Sequence, residues 1–425
     1  MRPIYSLLIF LLLCFPIFAQ AQQKQQPAKL PIIEEILEWP EDQIDIGFSS
    51  LILAKEFYPD LNIEFFLYSF DYMAQRFQDY FGKLESKDER IRALNTFIYK
   101  PGPWNDNITF QYDNEDLHVQ KLSNKFINGY ISTKKGSCIT MPMLYIILGE
   151  RLGWSIYPVR SARHFFVRYV SKNLEFNFQD NIEATSGGNY ISDEQYQKDV
   201  FIPEKAIKNG VYLRTLTKKQ FLASLLAMNA NEHFVNGNFE KAKHYFKQSM
   251  KYDPTFSMAY WNYGAIHFEQ AKKLEKELNS QARAIKKRYS AMQVTQTSEW
   301  NQVGATPNQR KQTTALSTNP PQTPQPFVFD QPTVTGLKIP NKKNQPQTSS
   351  QPHQQLNPQL ALQPEFQQEI TELEQKYIPQ ILANIETYKK YKAKAEELGI
   401  VKKYPEEFFQ KQAESIKRFN EKGGY

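Results

Sequence analysis

A cysteine held at the start of an apolar helix constrains this chain more than any other feature. In Lys135-Gly136-Ser137-Cys138-Ile139-Thr140-Met141-Pro142-Met143-Leu144 a small-residue turn leads into a hydrophobic run that Gly153 is placed to end. Proline is tolerated in a helix only near the first turn, where its missing N–H would have no partner anyway. Pro142 therefore fixes the helix start close to Cys138, where the helix dipole and free amides favour a thiolate. Downstream, His164 opens the β-branched and aromatic run His164-Phe165-Phe166-Val167-Arg168-Tyr169. A further strand-like stretch leads into Asn181-Ile182-Glu183-Ala184-Thr185-Ser186-Gly187-Gly188. Thiol, imidazole and carboxylate follow one another in the order of a nucleophile, a base and an orienting group.

The N-terminus bears on what that thiol is for. Arg2, the apolar run Tyr5 to Phe18 and the small-x-small site Ala19-Gln20-Ala21 read as a signal peptide over residues 1–21. The run is short for a bilayer span and Pro16 interrupts it, so no integral membrane segment is expected after cleavage, and the location is periplasmic or secreted. Cleavage removes Cys14 and leaves Cys138 alone in an oxidising compartment, where a lone thiol is more often kept for reactivity. The formal net charge of +7 is spread among interspersed Lys, Asp and Glu, with no basic stripe or motif of the nucleic-acid-binding kind, so no nucleic-acid partner is expected. No metal and no cofactor are expected, because no Cys/His set has zinc-like spacing.

Gly136-x-Cys138 with Leu144-Tyr145 and Leu152-Gly153, then His164-Phe165-x-Val167-Arg168-Tyr169, then Glu183-x-Thr185-x-Gly187-Gly188, resembles the transglutaminase-like superfamily. The pattern is most similar to its bacterial SirB branch, which the lead-in residues Glu56-Phe57-Tyr58-Pro59, Ala93-Leu94-Asn95 and Asn107 also match. The resemblance implies an α+β fold with a papain-like core over residues 32–215, a cysteine on a helix, and a histidine and an acid on adjacent strands. It implies Cys138 as nucleophile, His164 as base, and a protein or peptide amide as substrate. The branch usually has Asp-Pro where this chain has Glu183-Ala184. Glu183 is the expected third member, with Asp180 and Asn181 as rivals, since an amide suffices in papain-like sites. The other five histidines, His118 among them, read as surface or packing residues. The loops at 101–107 and 112–116 are candidates to approach the cysteine, Asn107 being the polar group the first would bring.

A helical lead-in precedes the core, with Phe65, Leu67, Phe70, Met73, Ala74, Phe77, Tyr80 and Phe81 expected on one buried stripe. After it, Phe234-x-x-Gly237-Asn238-Phe239-x-x-Ala242 resembles a tetratricopeptide repeat, and residues 216–290 are expected to form an α-helical segment of that kind. A single unit cannot bury its own face, so it is expected to dock on its neighbours or bind a protein partner. Residues 291–365, rich in Gln and Pro, are expected to be a disordered linker, and residues 366–425 a helical, coiled-coil-like tail. Two functions fit: cysteine-dependent hydrolysis or transfer at an amide through a thioester, or an inactive envelope scaffold that binds proteins through its C-terminal helices.

Overall fold

A computed structural model describes residues 30–170, 181–200, 202–301 and 364–401, with isolated residues 410, 414 and 417. Four helices lead in: α1 Ile33–Glu38, α2 Ile46–Lys55, α3 Ile63–Phe81 and α4 Lys87–Tyr99. Three of them start where a side-chain oxygen takes up a free amide of the first turn. Asp45 accepts from the Phe48 N–H, Asn62 from the Phe65 N–H, and Ser86 from the Glu89 N–H, with Glu89 reaching back to Ser86. Phe66, Phe70, Ala74 and Phe77 form the buried face of α3. The stripe expected there is only partly core: Phe65 is 58% and Tyr80 50% exposed. Phe65 lies about 100° around the helix from Phe66, off the buried face. Tyr80 stands at the exposed end, edge-on to Trp104 with 6.4 Å between ring centroids.

The next stretch builds the cysteine's platform. Strand β1 Gln111–Tyr112, helix α5 Ile127–Thr133 and strand β2 Lys135–Gly136 come together as a short parallel pair backed by a helix, with Tyr112 opposite Gly136. Helix α6 Thr140–Leu152 follows, buried over nearly all its length and closed by Gly153 in the left-handed region. Four antiparallel strands then form one sheet in chain order: β3 Ile156–Ser161, β4 His164–Tyr169, β5 Asn181–Glu183 and β6 Asn189–Tyr190. Alternation along β4 serves two cores. Phe165, Val167 and Tyr169 join the core shared with α6, while Phe166 joins Tyr196, Ile202 and Val211 in a second cluster. Helices α7 Asp193–Val200 and α8 Glu204–Lys208 cover that second face. The chain then returns along β3, the Leu213 and Leu216 N–H groups donating to Arg160 O and Pro158 O. The architecture is α+β, as the resemblance implied.

Gly136 shows how tightly the platform is built. A Cβ there would lie 2.5 Å from the ring of the fully buried Tyr130 and 2.8 Å from Thr140 Oγ1. Gly136→Ala is expected to destabilise the fold by ~1–3 kcal/mol through overpacking. Urea unfolding checks this, and a change below ~0.5 kcal/mol would mean that the platform yields.

The remaining helices are α9 Lys218–Val235, α10 Phe239–Tyr252, α11 Ser257–Asn301 and α12 Pro364–Leu398. α9 docks on the lead-in, with Asn229 Nδ2 donating to Leu53 O at 3.0 Å, and on the cysteine's platform, with an ion pair between Lys125 and Glu232. α12 runs antiparallel to α11, burying Leu373, Tyr377, Ile381 and Ile385 against Ala271, Leu274, Leu278, Ala282 and Ile285. The expected linker boundary is corrected: helix continues to Asn301, because no proline or glycine interrupts the sequence between Ala291 and Asn301. The expected signal peptide, most of the linker and the end of the tail lie outside the described residues.

Candidate active site

Cys138 precedes α6 in a turn that its neighbours hold by hydrogen bonds. Ser137 Oγ donates to Asn124 O at 2.7 Å and accepts from the Ile139 N–H at 3.1 Å. The Ser137 N–H in turn donates to Thr140 Oγ1 at 3.0 Å. Asn124 is fixed from the other side, its amide donating to Asp113 Oδ2 and Asp116 Oδ2 at 2.9 and 2.8 Å. The 112–116 loop therefore supports the cysteine turn. The Tyr112 hydroxyl is close enough to feel both Cys138 and Glu183, and burial holds its pKa well above the ordinary tyrosine value. The cysteine is 6% exposed, with Sγ 3.9 Å from the Arg163 carbonyl. Arg163 occupies the two-residue turn between β3 and β4 with φ +55°, a left-handed conformation that arginine seldom adopts.

His164 begins β4 directly after that turn. Its Nε2 lies 2.6 Å from Glu183 Oε2 on β5, and Nδ1 has no hydrogen-bond partner of ordinary length. With Glu183 as acceptor, the proton of the neutral ring belongs on Nε2, and Nδ1 keeps a lone pair. Burial by itself pulls the imidazole pKa down. The Glu183 carboxylate and interaction with Cys138 outweigh it, and the pKa is raised to about 10. Glu183 shows the reverse balance: burial pushes its carboxyl up, but His164, Thr185 and Tyr196 together hold it below the usual value. Four donors converge on this carboxylate. Oε1 accepts from the Thr185 N–H at 2.9 Å and Thr185 Oγ1 at 2.7 Å, and Oε2 accepts from His164 and from Tyr196 Oη at 2.5 Å.

The turn after Glu183 is pinned to the helical layer. Tyr99 Oη donates to Ala184 O at 2.7 Å, and Asn95 links Tyr145 Oη at 2.7 Å to Gly188 O at 3.1 Å. Gly188, at φ +77°, closes the turn with its N–H on Glu183 O.

The structure thus brings Cys138, His164 and Glu183 together, and it parts Asn181 and Asn107 from them. Asn181 is engaged elsewhere: Oδ1 accepts from Arg168 Nε at 2.7 Å, and Nδ2 donates to Ile191 O and Asp193 Oδ1. Asn107 is exposed in the turn after Pro103–Asn105, its N–H on Gly102 O, and does not approach the cysteine. That loop is held by Arg76 instead, which donates to the Trp104 carbonyl. Asp180 lies outside the described residues. His118, read as surface or packing, is exposed but lines the pocket at Cys138. Asn181→Ala is expected to lower thermal stability by the loss of its buried hydrogen bonds, ~1–3 kcal/mol. It should leave the alkylation rate of Cys138 within about twofold of wild type, a range of ~0.4 kcal/mol. A large loss of thiol reactivity in the folded variant would return Asn181 to the site.

Tyr196 and Thr185 were not read from the sequence as partners of the acid. Thr185 had a local signal, two residues beyond Glu183 where its amide and hydroxyl can both turn back. Tyr196 had none, since it arrives from α7 and is placed by stacking on Phe166, 4.1 Å between ring centroids.

A pocket with ≈ 880 Å³ of space, open mouth included, is lined by Cys138 and His164 at one end and by α9 and the start of α11 beyond them. Among the described residues no cluster of His, Cys, Asp and Glu is placed to hold a metal ion, and no helix is long and apolar enough to cross a membrane. Compared with known proteins, residues 66–227 match the family described as the transglutaminase-like superfamily. No curated protein and no solved structure matched the chain. The matched span begins in α3, runs through the cysteine turn, the sheet and the acid, and ends within α9. The chain carries a domain of the transglutaminase-like superfamily.

Proposed function

We propose that this protein is an exported, cysteine-dependent enzyme that breaks or exchanges amide bonds in peptides or proteins through a thioester. The observation that carries the reading is the polarity of the His164 ring, with Nε2 on Glu183 at 2.6 Å and Nδ1 without a hydrogen-bond partner. Nδ1 takes the Cys138 proton before the chemistry begins, so that thiolate and imidazolium stand as a pair, and the sulfur then attacks the amide carbonyl. The tetrahedral intermediate collapses when the C–N bond breaks and His164 returns that proton to the leaving amine. Water, or a second amine, then attacks the thioester carbonyl. His164 accepts the proton of the incoming group, and the C–S bond breaks to release an acid or a new amide. Glu183 supports each step by holding the ring and facing the imidazolium that forms.

A p-nitrophenyl acetate assay tests this. Acylation of Cys138 should release one equivalent of p-nitrophenolate per protein as a burst, with an acetyl adduct on Cys138 by mass spectrometry. Cys138→Ala and His164→Ala should both lose the burst. A wild-type protein with no Cys138-dependent burst would contradict the proposal.

A further inference from the structure

Two buried polar groups in the pocket have no partner, and both stand beside the dyad. Arg160 is 3% and Ser161 1% exposed, both line the pocket that Cys138 and His164 open into, and Arg160 Nη2 and Ser161 Oγ make no hydrogen bond. Ser161 lies opposite His164 in the β3–β4 register. The other donors of Arg160 are used: Nε on Val211 O at 3.1 Å, and Nη1 on Ser224 Oγ at 3.0 Å and Asp253 Oδ2 at 2.7 Å. Phe256 covers the guanidinium face, 4.2 Å from ring centroid to Cζ.

The charge count at this end of the pocket is uneven. Asp253 is fully buried and serves two guanidiniums, Arg160 through Oδ2 and Arg214 through Oδ1 at 2.9 Å. Asp253 is thus shared, so it only partly offsets the buried Arg160, while Arg214 is 29% exposed and reaches solvent. The pocket lining adds Arg163 and His118 and contains no Asp or Glu. Ala227, Met228 and Met258 supply apolar wall, which strengthens the field of a nearby charge. A guanidinium N–H and a hydroxyl, both buried without a partner on two lining residues, are the donor set that a carboxylate satisfies.

We propose that this subsite selects acyl donors that carry a carboxylate within a few bonds of the reacting carbonyl, held by Arg160 Nη2 and Ser161 Oγ. The inference names the substrate class of the site and rests on the acyl-transfer reading above. It also gives α9 and the turn before α11 a role, since they bring Ser224 and Phe256 against Arg160 and so form part of the substrate wall.

Alkylation of Cys138 separates the two ideas. Iodoacetate and iodoacetamide react alike, the sulfur forming a bond to the CH2 carbon as iodide leaves, but only iodoacetate carries a carboxylate there. The readout is the iodoacetate-to-iodoacetamide rate ratio, divided by the same ratio for free cysteine. Wild type should exceed one by about tenfold or more, a preference of the size that one hydrogen bond to a charged group gives. Ser161→Ala loses no hydrogen bond of the free protein and keeps His164; its ratio should fall roughly threefold or more, the size that an ordinary hydrogen bond gives. Arg160→Lys, with folding checked by circular dichroism, should lower the ratio further while iodoacetamide still reacts. If iodoacetamide reacts no faster with wild type than with His164→Ala, the acyl-transfer reading fails and this inference with it. If that acceleration is present but the iodoacetate ratio is near one, or is unmoved by Ser161→Ala, the carboxylate subsite alone is overturned.

Discussion

Glu183→Gln is expected to lower the p-nitrophenyl acetate burst rate by about four orders of magnitude, the size of effect known for an amide in place of a triad carboxylate. The reason is in the four donors that meet at Glu183: the Thr185 N–H and hydroxyl on Oε1, and His164 and Tyr196 on Oε2. An amide has only one acceptor oxygen. If that oxygen faces Thr185, the NH2 points at His164, Nε2 must accept, and the ring proton moves to Nδ1. Nδ1 then has no lone pair for the Cys138 proton. If the oxygen faces His164 instead, the NH2 meets two donors from Thr185 in a buried site. In both orientations the imidazolium loses the negative charge that raises its pKa. Glu183→Asp keeps the charge but withdraws it by one methylene, and is expected to fall between wild type and Glu183→Gln. A Glu183→Gln rate within tenfold of wild type would remove Glu183 from the mechanism.

Gly188→Ala is the second large effect, and it acts on the fold. A Cβ there would stand 2.1 Å from Asn95 Oδ1, on a residue whose φ is +77°. Asn95 cannot turn aside cheaply, because it is buried and bonded both to Tyr145 Oη and to the Gly188 carbonyl. Overpacking of ~1–3 kcal/mol adds to ~1–2 kcal/mol for a left-handed alanine, so a loss of about 2–5 kcal/mol is expected in urea unfolding. The Gly188 N–H also closes the turn on Glu183 O, so folded variant should lose thiol reactivity as well. A destabilisation below ~1 kcal/mol would show that the turn relaxes more readily than its contacts indicate.

The parts of the site legible in the sequence are those written in local patterns. A proline near a helix start and small residues before it located Cys138. A histidine opening a β-branched run located His164, and an acid before a Gly-Gly turn located Glu183. Choosing Glu183 over Asn181 needed three dimensions, because the two share a strand and only the structure shows Arg168 and Asp193 claiming the amide. Tyr196 and Arg160 were illegible for a related reason. Tyr196 meets Glu183 from a separate helix, and Arg160 reads as an ordinary strand residue until α9 and Asp253 close on it. The aromatic stripe of α3 misled because composition fixes neither which of two adjacent aromatics faces the core, as with Phe65 and Phe66, nor how far along the helix its covering layer extends, as with Tyr80.

The pH profile of Cys138 alkylation by iodoacetamide, in wild type and His164→Ala, tests the central claim most directly. His164 is raised from 6.5 to about 10 and Glu183 is lowered from 4.5. A raised imidazole keeps its proton below its folded pKa and loses it as pH climbs through about 10. A lowered carboxyl keeps its charge until pH falls below its folded value, so the charged pair persists across neutral pH. The folded wild type should therefore alkylate at pH 6.5 at least ~10-fold faster than His164→Ala, a modest share of what a positioned base contributes. The two curves should converge above about pH 8.5, where an unassisted thiol ionises by itself. Superimposable curves for two folded proteins would show that His164 does not take the cysteine's proton, and the site would have no nucleophile.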